Sequence, residues 1–310
     1  MLQEIKGLHH VTSMADDANA NNRFFTNVLG LRRVKKTVNF DRPDVYHLYY
    51  GDEVGTPGSV MTYFPFPGMA RGEKGAGEVG VTAFSVPEGA LSYWESRLSN
   101  LAIKGVEVSE RFGEKRLNLS GPDGDEFALV ETRDDARRPW INANIPEGVA
   151  IRGFHSTSMR LNDNAAMQEL LEFMNYELID QSGNVSRLAV TGGNGAHILD
   201  LDASPSARQS NQGAGSVHHV AFSVEDRAAQ LKVRDALLDT GYSVTPVIDR
   251  DYFWAIYFRT PGGILFEIAT NEPGFDRDED TEELGLALKL PTQHEHLRAE
   301  LEKHLDPIKD

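Results

Sequence analysis

The chain has 310 residues, of which 40% are hydrophobic and 25% are charged, and it contains no cysteine. This composition is that of a globular protein, and the length suits two domains of roughly 150 residues each. The absence of cysteine excludes disulfides, thiolate metal sites, iron–sulfur clusters and cysteine nucleophiles. Because the formal net charge is −16, phosphate backbones and anionic membranes are repelled, so we expect neither nucleic acid nor a membrane as a partner.

The sequence also gives an expectation about where the protein works. No apolar stretch approaches the roughly 18 residues that a membrane-spanning helix needs. The first residues, Met1 to Lys6, show neither the basic region nor the apolar region of a secretory signal. These two observations predict a cytoplasmic protein.

Four segments of the chain repeat one pattern: a strand, a helix, and several strands that follow a glycine-rich turn. The opening strands of these modules are 7–13, 80–86, 153–159 and 217–224. The positions that align across them are His10, Val81, Ser156 and His219. Four βαβββ modules of this kind predict an α+β protein in which curved sheets form two cups that can hold a ligand.

A helical pattern follows each opening strand. The predicted helices cover about 17–29, 90–98, 169–174 and 226–241. Gly30 and Gly241 are typical left-handed stops at the end of the first and fourth helices, and Asn175 takes that place in the third. Short runs with strand character, such as 45–50 and 255–258, complete the modules.

The modules group along the chain into two domains. We assign modules one and two to residues 1–135 and modules three and four to residues 151–273, with residues 136–150 as the linker. The remainder, 274–310, is an acidic segment followed by a C-terminal helix. Its leucine stripe (Leu297, Leu301 and Leu305) is expected to dock on the body, and a partner-binding helix is the alternative.

The start of the C-terminal helix carries a recognisable sequence pattern. Thr292 is followed three residues later by Glu295. A threonine and a glutamate at this spacing, ahead of an apolar stripe, predict a capping box that begins the helix.

Two pairs of adjacent histidines, His9-His10 and His218-His219, occupy matching positions of the first and fourth modules. A lone histidine on a strand is usually structural, but two pairs in the same register are harder to explain in that way. Alternate residues of a strand face opposite sides of a sheet. Bulky apolar side chains alternate from Val220 onward and are expected to pack on the helix, so His219 faces the concave side. The same argument places His10 on the concave side of the first module.

The closing strand of the fourth module carries a carboxylate in an apolar run. Alternation places Glu267 on the face opposite Phe266, where burying it costs free energy unless a charge or a metal compensates it. A glutamate at the rim that reaches water is the alternative. His10, His219 and Glu267 together are two imidazoles and one carboxylate, a set that leaves coordination positions free and suits non-haem Fe(II) oxygen chemistry.

The remaining modules provide a comparison for this ligand set. At the positions aligned with Glu267 and with the two histidines, the other modules carry Tyr63, Ala128, roughly Leu199, Val81 and Ser156. Only one complete ligand set can then be built. If its members share one metal, modules one and four must form one cup, and modules two and three must form a second, metal-free cup.

Three motifs resemble the vicinal oxygen chelate superfamily, which contains glyoxalases and extradiol dioxygenases. They are Gly-Leu-His-His-Val-Thr at 7–12, Val-His-His-Val-Ala-Phe at 217–222 and Pro-Gly-Gly-Ile-Leu-Phe-Glu-Ile at 261–268. Residues 31–41 and 46–52 are similar to the bacterial ring-cleaving dioxygenases that act on hydroquinones rather than catechols. The resemblance covers residues 5 to about 272 and implies the fold of that superfamily.

This resemblance implies specific roles at the site. In that branch the second histidine of each pair and the late glutamate bind Fe(II), which implies His10, His219 and Glu267 as ligands, with Mn(II) as the alternative metal. The further residues that it implies near the metal or the substrate are His9, Thr12, His218, Arg250 and Tyr257. We expect His218 to move protons, Tyr257 to hydrogen-bond the bound oxygens or the substrate hydroxyl, and Arg250 to pair with an anionic oxygen. An aromatic core residue and a surface salt bridge are the respective alternatives for these last two.

The sequence therefore predicts an Fe(II)-dependent ring-cleaving dioxygenase that takes a hydroquinone-type aromatic substrate and O2. Two alternatives stay open: a glyoxalase-type isomerase or lyase that uses Zn²⁺ or Ni²⁺ without O2, and a protein that binds a small ligand without catalysis. A homo-oligomer is also left open. Among the other histidines, His47 shows no partner in the sequence, and His155 lacks a neighbouring ligand because residue 156 is a serine.

Overall fold

The computed structural model describes residues 1–309, and their strands form two eight-stranded curled sheets. The strands in chain order are β1 Leu8–Ala15, β2 Arg32–Val38, β3 Tyr46–Gly51, β4 Val60–Pro65, β5 Glu78–Pro87, β6 Glu107–Arg111, β7 Glu114–Ser120, β8 Glu126–Thr132, β9 Gly153–Leu161, β10 Tyr176–Ser182, β11 Val185–Val190, β12 Ile198–Ala203, β13 Val217–Val224, β14 Ile248–Asp249, β15 Phe253–Arg259 and β16 Leu265–Pro273. The α-helices are α1 Ala18–Arg23, α2 Leu91–Asn100, α3 Ala165–Phe173, α4 Arg227–Asp239 and α5 Arg298–His304. None of the helices in residues 1–309 is long and apolar enough to cross a bilayer.

The order of the strands confirms the predicted pairing of modules. The first sheet runs β14-β15-β16-β13-β1-β4-β3-β2, and the second runs β10-β11-β12-β9-β5-β8-β7-β6. Modules four and one therefore share the first sheet, and modules three and two share the second. Each sheet is joined at its centre by the antiparallel pairing of two opening strands, as where Val11 lies beside Val220. The α+β class and the two cupped sheets are as predicted.

The sheets do not follow the order of the modules along the chain. Each sheet takes strands from both sides of residues 136–150, which contain a short 3₁₀ turn at Glu147–Val149. The division into residues 1–135, 136–150, 151–273 and 274–310 remains a prediction. Each sheet combines strands from the first of these predicted domains with strands from the second.

Helices cover the convex face of the sheets at the predicted places. Asp226 begins α4, and its carboxylate accepts a hydrogen bond from the backbone N–H of Ala229. Val233 of α4 belongs to the same buried cluster as Val220 and Phe222 of β13. The apolar face that alternation assigned to this strand is therefore the face that packs on the helix.

The first helix differs from the prediction in its second half. Asp17 caps α1 by accepting from the backbone N–H groups of Asn19 and Ala20. After Arg23 the chain continues as a π-helical turn over Phe24–Val28, not as α-helix. Gly30 follows with a φ of +72°, which confirms the predicted left-handed stop. The wider turn directs Phe24 and Phe25 into the core, where both are buried.

One hydrophobic core extends under both sheets. Phe24 stacks on Phe127 of the second sheet with ring centroids 5.7 Å apart. Tyr176 of the second sheet meets Phe222 of the first edge-on at 6.1 Å. The two cups are therefore parts of one packed body. Their concave faces are not part of this common core.

The C-terminal segment returns to the first sheet. Leu301 and Leu305 are buried in the common core, and Leu297 is partly buried against it. This confirms that the leucine stripe docks on the body. The predicted capping box is wrong, because residues Thr292–Leu297 form a 3₁₀ helix whose cap makes no side-chain hydrogen bond. Glu295 instead binds the guanidinium of Arg298, a charge-assisted contact that takes up its carboxylate.

Candidate metal centre and its cavity

Side chains from β1, β13 and β16 meet on the concave face of the first sheet. The Nε2 atoms of His10 and His219 lie 3.3 Å apart. The Oε2 atom of Glu267 lies 3.4 Å from Nε2 of His10 and 2.9 Å from Nε2 of His219. Within residues 1–309, these three form the one group of three or more His, Asp or Glu side chains whose ligand atoms all lie within 4.8 Å of one another. The structure thus brings together the two imidazoles and the carboxylate that the sequence singled out.

Strand pairing explains why these side chains converge. In the parallel pair β13–β16, Ala221 lies beside Glu267, and Phe222 lies beside Ile268. Phe222 and Ile268 enter the hydrophobic core. Since neighbours on one strand face opposite ways, Glu267 must face the concave side, together with His219 two residues before Ala221.

Glu267 is a fully buried carboxylate that lies against the two imidazoles. Its exposed fraction is 0%, and neither carboxylate oxygen has a hydrogen-bond partner. The alternative of a glutamate at the rim is therefore wrong. Burial acts to raise the pKa of Glu267, but the adjacent imidazoles of His10 and His219 outweigh it and hold the pKa well below its ordinary range. A buried carboxylate without a donor is costly unless a cation sits beside it, so the donor set fits a divalent metal ion.

His9 determines which nitrogen of His10 is free to bind a metal. The Nε2 atom of His9 lies 3.1 Å from the carbonyl oxygen of Thr270, which can only accept, so this nitrogen carries a proton. Burial lowers the pKa of His9 to about 3, so the ring is neutral and its Nδ1 is an acceptor. The Nδ1 of His10, 2.9 Å away, must then donate to it. The Nε2 of His10 is left with a free lone pair directed at the cluster.

The second pair repeats the contact but differs in its surroundings. The Nδ1 atoms of His218 and His219 lie 2.8 Å apart. His218 is half-buried and lines the cavity beside the cluster, whereas His9 does not line it. Of the two partner histidines, only His218 is therefore placed to reach a bound molecule.

A cavity of about 370 Å³ opens beside the three candidate ligands. Its apolar wall consists of Met14, Phe40, Phe64, Phe66, Met69, Phe253 and Leu265. The wall also carries polar side chains, among them those of His47, His218, Arg250 and Tyr257, so apolar surface is combined with groups that can orient a small molecule. The volume and the aromatic lining suit a single aromatic ring.

A larger cavity of about 520 Å³ lies elsewhere and has a different character. Its lining includes Arg160, which forms ion pairs with Glu78 and Glu126. It contains no histidine. Because Arg160 is already paired with two glutamates and no metal-ligand set among the described residues lines this cavity, the smaller cavity is the better candidate for chemistry.

Arg250 and Tyr257 form a polar pair in the wall of the smaller cavity. The Nε of Arg250 donates to the hydroxyl of Tyr257 at 3.3 Å. The ring of Tyr257 meets that of His219 edge-on with centroids 5.8 Å apart. Burial, followed by the charge of Glu267, raises the pKa of Tyr257 well above its ordinary value, so the phenol keeps its proton. Both residues line the cavity together with the three candidate ligands, and Arg250 also makes the surface contact offered as its alternative, 3.6 Å from exposed Asp41.

His47, which had no partner in the sequence, also lines the cavity. Its Nε2 lies 2.9 Å from Oγ1 of Thr62, and its Nδ1 lies 2.8 Å from the hydroxyl of Tyr49. The Oγ1 of Thr62 in turn lies 2.8 Å from Oγ1 of Thr12. Thr12 is thus fully buried behind this chain of hydrogen bonds and does not itself line the cavity. Alternation along β3 would have identified His47 and Tyr49, since Leu48 between them lies in the core.

Strand register corrects the sequence alignment of the closing strands. Thr62 pairs with Thr12 and Asp200 pairs with Ser158, as Glu267 pairs with Ala221. The positions equivalent to Glu267 are therefore Thr62, Ala128 and Asp200. The alignment with Tyr63 and Leu199 was one residue out, because the turns before these strands differ in length, and a shift of one residue reverses the face.

The concave face of the second sheet carries an ionic network. Asp200 is 2% exposed and accepts from Nε and Nη2 of Arg187 at 2.8 and 3.1 Å. Arg187 also binds Glu114, whose other oxygen lies 3.1 Å from Nε2 of His155. Because the guanidinium satisfies these carboxylates, and Ser156 stands where His10 stands in the first cup, no equivalent ligand set forms there.

Comparison with known proteins agrees with this geometry. The sequence pattern of the Glyoxalase/Bleomycin resistance protein/Dioxygenase superfamily matches residues 7–268. The chain is 40% identical over 309 residues to "Putative ring-cleaving dioxygenase MhqO" of Bacillus subtilis, across 99% of this chain and 98% of that protein. It is 38% identical over 316 residues to "Chlorohydroquinone/hydroquinone 1,2-dioxygenase" of Sphingobium indicum, across 99% of this chain and 98% of that protein.

Solved structures show the same fold. The crystal structure of a "putative dioxygenase" from Bacillus subtilis superposes with a TM-score of 0.95 at 40% identity, covering 98% of each chain. Glyoxalase I from Zea mays superposes with a TM-score of 0.64 at 14% identity, covering 86% of this chain and 92% of that chain. At that identity the second likeness concerns the fold alone.

Proposed function

Because the chain belongs to the Glyoxalase/Bleomycin resistance protein/Dioxygenase superfamily, we propose that it is a ring-cleaving dioxygenase acting on hydroquinone-type aromatic diols with O2. One observation carries the proposal: a buried carboxylate without a donor lies beside two imidazoles in a cavity with aromatic walls. The names of relatives that match the chain along its whole length support the same reaction class.

His10, His219 and Glu267 are the proposed ligands of Fe(II), with Mn(II) as the alternative ion. When bound there, such an ion would supply the Lewis-acid and redox chemistry by which an aromatic diol reacts with O2. His9 prepares the site by holding the Nδ1 proton of His10, so that Nε2 presents its lone pair. The aromatic wall positions the substrate ring and excludes water from it.

We propose that the polar residues of the wall stabilise an anionic oxygen of the substrate and transfer protons. Tyr257 keeps its proton and therefore donates a hydrogen bond to an anionic oxygen of the substrate, while Arg250 orients its hydroxyl. His218 uses Nδ1 in its contact with His219, so Nε2 is the ring atom left for the substrate. We assign proton transfer to this atom. Thr12 supports the wall from behind through Thr62.

The proposed reaction predicts a defined pattern of oxygen consumption. Protein reconstituted anaerobically with Fe(II) is expected to consume O2 with hydroquinones, and not with catechol or a methylglyoxal–thiol adduct. An oxygen electrode measures the uptake, and ring opening is followed by absorbance. Isomerisation of the thiol adduct without O2 would indicate a glyoxalase-type enzyme, and binding of hydroquinone without turnover would indicate a binding protein; either result would overturn the proposal.

The phenol of Tyr257 provides a test of the charge-stabilising role. Tyr257→Phe is expected to lower kcat by about 10²-fold, the typical cost of losing one donor to a developing anion, with the iron content unchanged. Tyr242→Phe is the matched control, because Tyr242 packs on Phe258 outside the cavity. Steady-state kinetics with hydroquinone compare the two variants. Equal kcat values in both would remove Tyr257 from the mechanism.

A further inference from the structure

The outer wall of the cavity is the loop of residues 39–45, which joins β2 to β3. Residues 39–42 line the cavity. The loop is closed on itself, because the backbone N–H of Asn39 donates to the carbonyl of Val45 at 2.8 Å and its side-chain Oδ1 accepts from the N–H groups of Asp41 and Arg42. These bonds fix the shape of the loop but not its position over the cavity.

Two side chains of the C-terminal segment hold the loop from outside. The carbonyl oxygen of Phe40 lies 2.8 Å from Nε2 of His294 and 3.2 Å from Nε2 of Gln293. A carbonyl oxygen has two lone pairs and only accepts, so both side chains donate to it. We call this pair of hydrogen bonds the Phe40 contact.

The segment that carries Gln293 and His294 is attached to the rest of the protein on both sides of these two residues. Before them, the N–H of Lys289 donates to the carbonyl of Lys36 on β2 at 2.9 Å. After them, Leu301 and Leu305 are buried in the common core. The hydroxyl of Tyr46 also donates to the carbonyl of Asp306 at 3.0 Å. The donors are therefore fixed to the body and can hold the loop in place.

The loop in turn contacts the polar pair of the cavity. The guanidinium of Arg250 lies 5.3 Å from the ring centroid of Phe40 and 3.6 Å from the carboxylate of Asp41. Arg250 is the residue that donates to the hydroxyl of Tyr257. A loop that shifted outward would remove two contacts from Arg250 and one wall from the cavity.

We propose that Gln293 and His294 are positioning residues of this active site, which hold the 39–45 loop over the cavity and thereby raise the affinity for the aromatic substrate. Neither residue lines the cavity. The kinetic part of this inference rests on the proposed function, whereas the part that concerns the loop does not.

The test compares His294→Ala with His296→Ala in the iron-loaded chain of 310 residues. His296 is an exposed histidine two residues along the same 3₁₀ segment. In His294→Ala we expect backbone amide exchange in residues 39–45 and chymotryptic cleavage after Phe40 to become about tenfold faster, as the loss of a hydrogen bond to an ordered loop predicts. The His296→Ala protein should match the wild type in both.

The kinetic readout separates positioning from general damage. His294→Ala is expected to raise KM for hydroquinone about five- to tenfold while kcat changes less than twofold and the iron content stays constant. His294→Gln keeps a donor and should recover part of the KM. Unchanged exchange in residues 39–45, or a KM equal to that of His296→Ala, would overturn the proposal.

The two proposals fail in different ways. If the wild type consumes no O2 with hydroquinones, the proposed function fails. Exchange and cleavage of residues 39–45 still decide the loop part, since faster rates in His294→Ala alone support it and equal rates in both variants overturn it.

Discussion

Replacing His219 by alanine is expected to abolish iron retention, whereas His155→Ala is expected to leave it unchanged. The Nε2 of His219 lies 2.9 Å from Glu267 and 3.3 Å from Nε2 of His10, so its removal leaves two ligands and an open space. His155 is buried like His219 but binds Ser156 and Glu114 in the second cup. It is therefore a matched control for the loss of a buried histidine. Iron per chain, measured after anaerobic reconstitution and desalting, distinguishes the two variants.

A second readout does not depend on activity. A ligand that binds only the folded state stabilises it by about 2.7 kcal/mol when its free concentration is a hundred times its dissociation constant. Added Fe(II) should therefore raise the thermal midpoint of the wild type and of His155→Ala, and should leave that of His219→Ala unchanged. Equal iron contents and equal midpoint shifts in both variants would contradict the ligand assignment.

The cup pairing and the convergence of the three candidate ligands could be predicted from the sequence because two simple rules act together. Alternation along a strand assigned a face to His10, His219 and Glu267, and repetition of the module showed that the ligand set was split between its first and fourth copies. The requirement that the three meet then demanded one cup from those copies, as the strand order shows. None of these steps needed the length of a turn.

Where turn length matters, the prediction was one residue out. Thr62 and Asp200 occupy the positions assigned to Tyr63 and Leu199. The shift changes the chemistry, because Asp200 is a carboxylate on the concave face that Arg187 neutralises. Sequence similarity does not fix strand register across turns of unequal length, and register decides which face of the sheet a side chain takes.

Contacts between distant parts of the chain were also beyond the sequence. Phe40 and His294, which form the Phe40 contact with Gln293, are 254 residues apart, and no local pattern relates them. The predicted capping box was local, but Glu295 binds Arg298 instead. In both cases the side chain's partner is set by how the C-terminal segment lies on the first sheet.

The acidic segment after Pro273 also contacts a distant part of the chain, and its partner there is Lys35. Lys35 lies on β2, and its exposed fraction is 0%. Its Nζ donates to Asp278 at 2.7 Å and to Glu279, and it lies 4.6 Å from the ring centroid of Tyr252. The side chain of Glu279 is only 4% exposed. The acidic segment is therefore joined to the sheet by a buried ion pair.

Lys35→Met is expected to lower the free energy of unfolding by about 3–5 kcal/mol, because it leaves the carboxylate of Glu279 buried without its cation. The double variant Lys35→Met/Glu279→Leu should recover most of that loss, since apolar side chains of similar volume replace both charges. Urea denaturation measures both, with Lys232→Met as a control in which the pair to Glu4 is 3.8 Å long and the lysine is 70% exposed. That exposed pair should cost less than about 1 kcal/mol. An equal loss in the single and double variants would show that the buried charge of Glu279 is not the cause, and that the contacts of the Lys35 ammonium with Asp278 and the Tyr252 ring account for the loss instead.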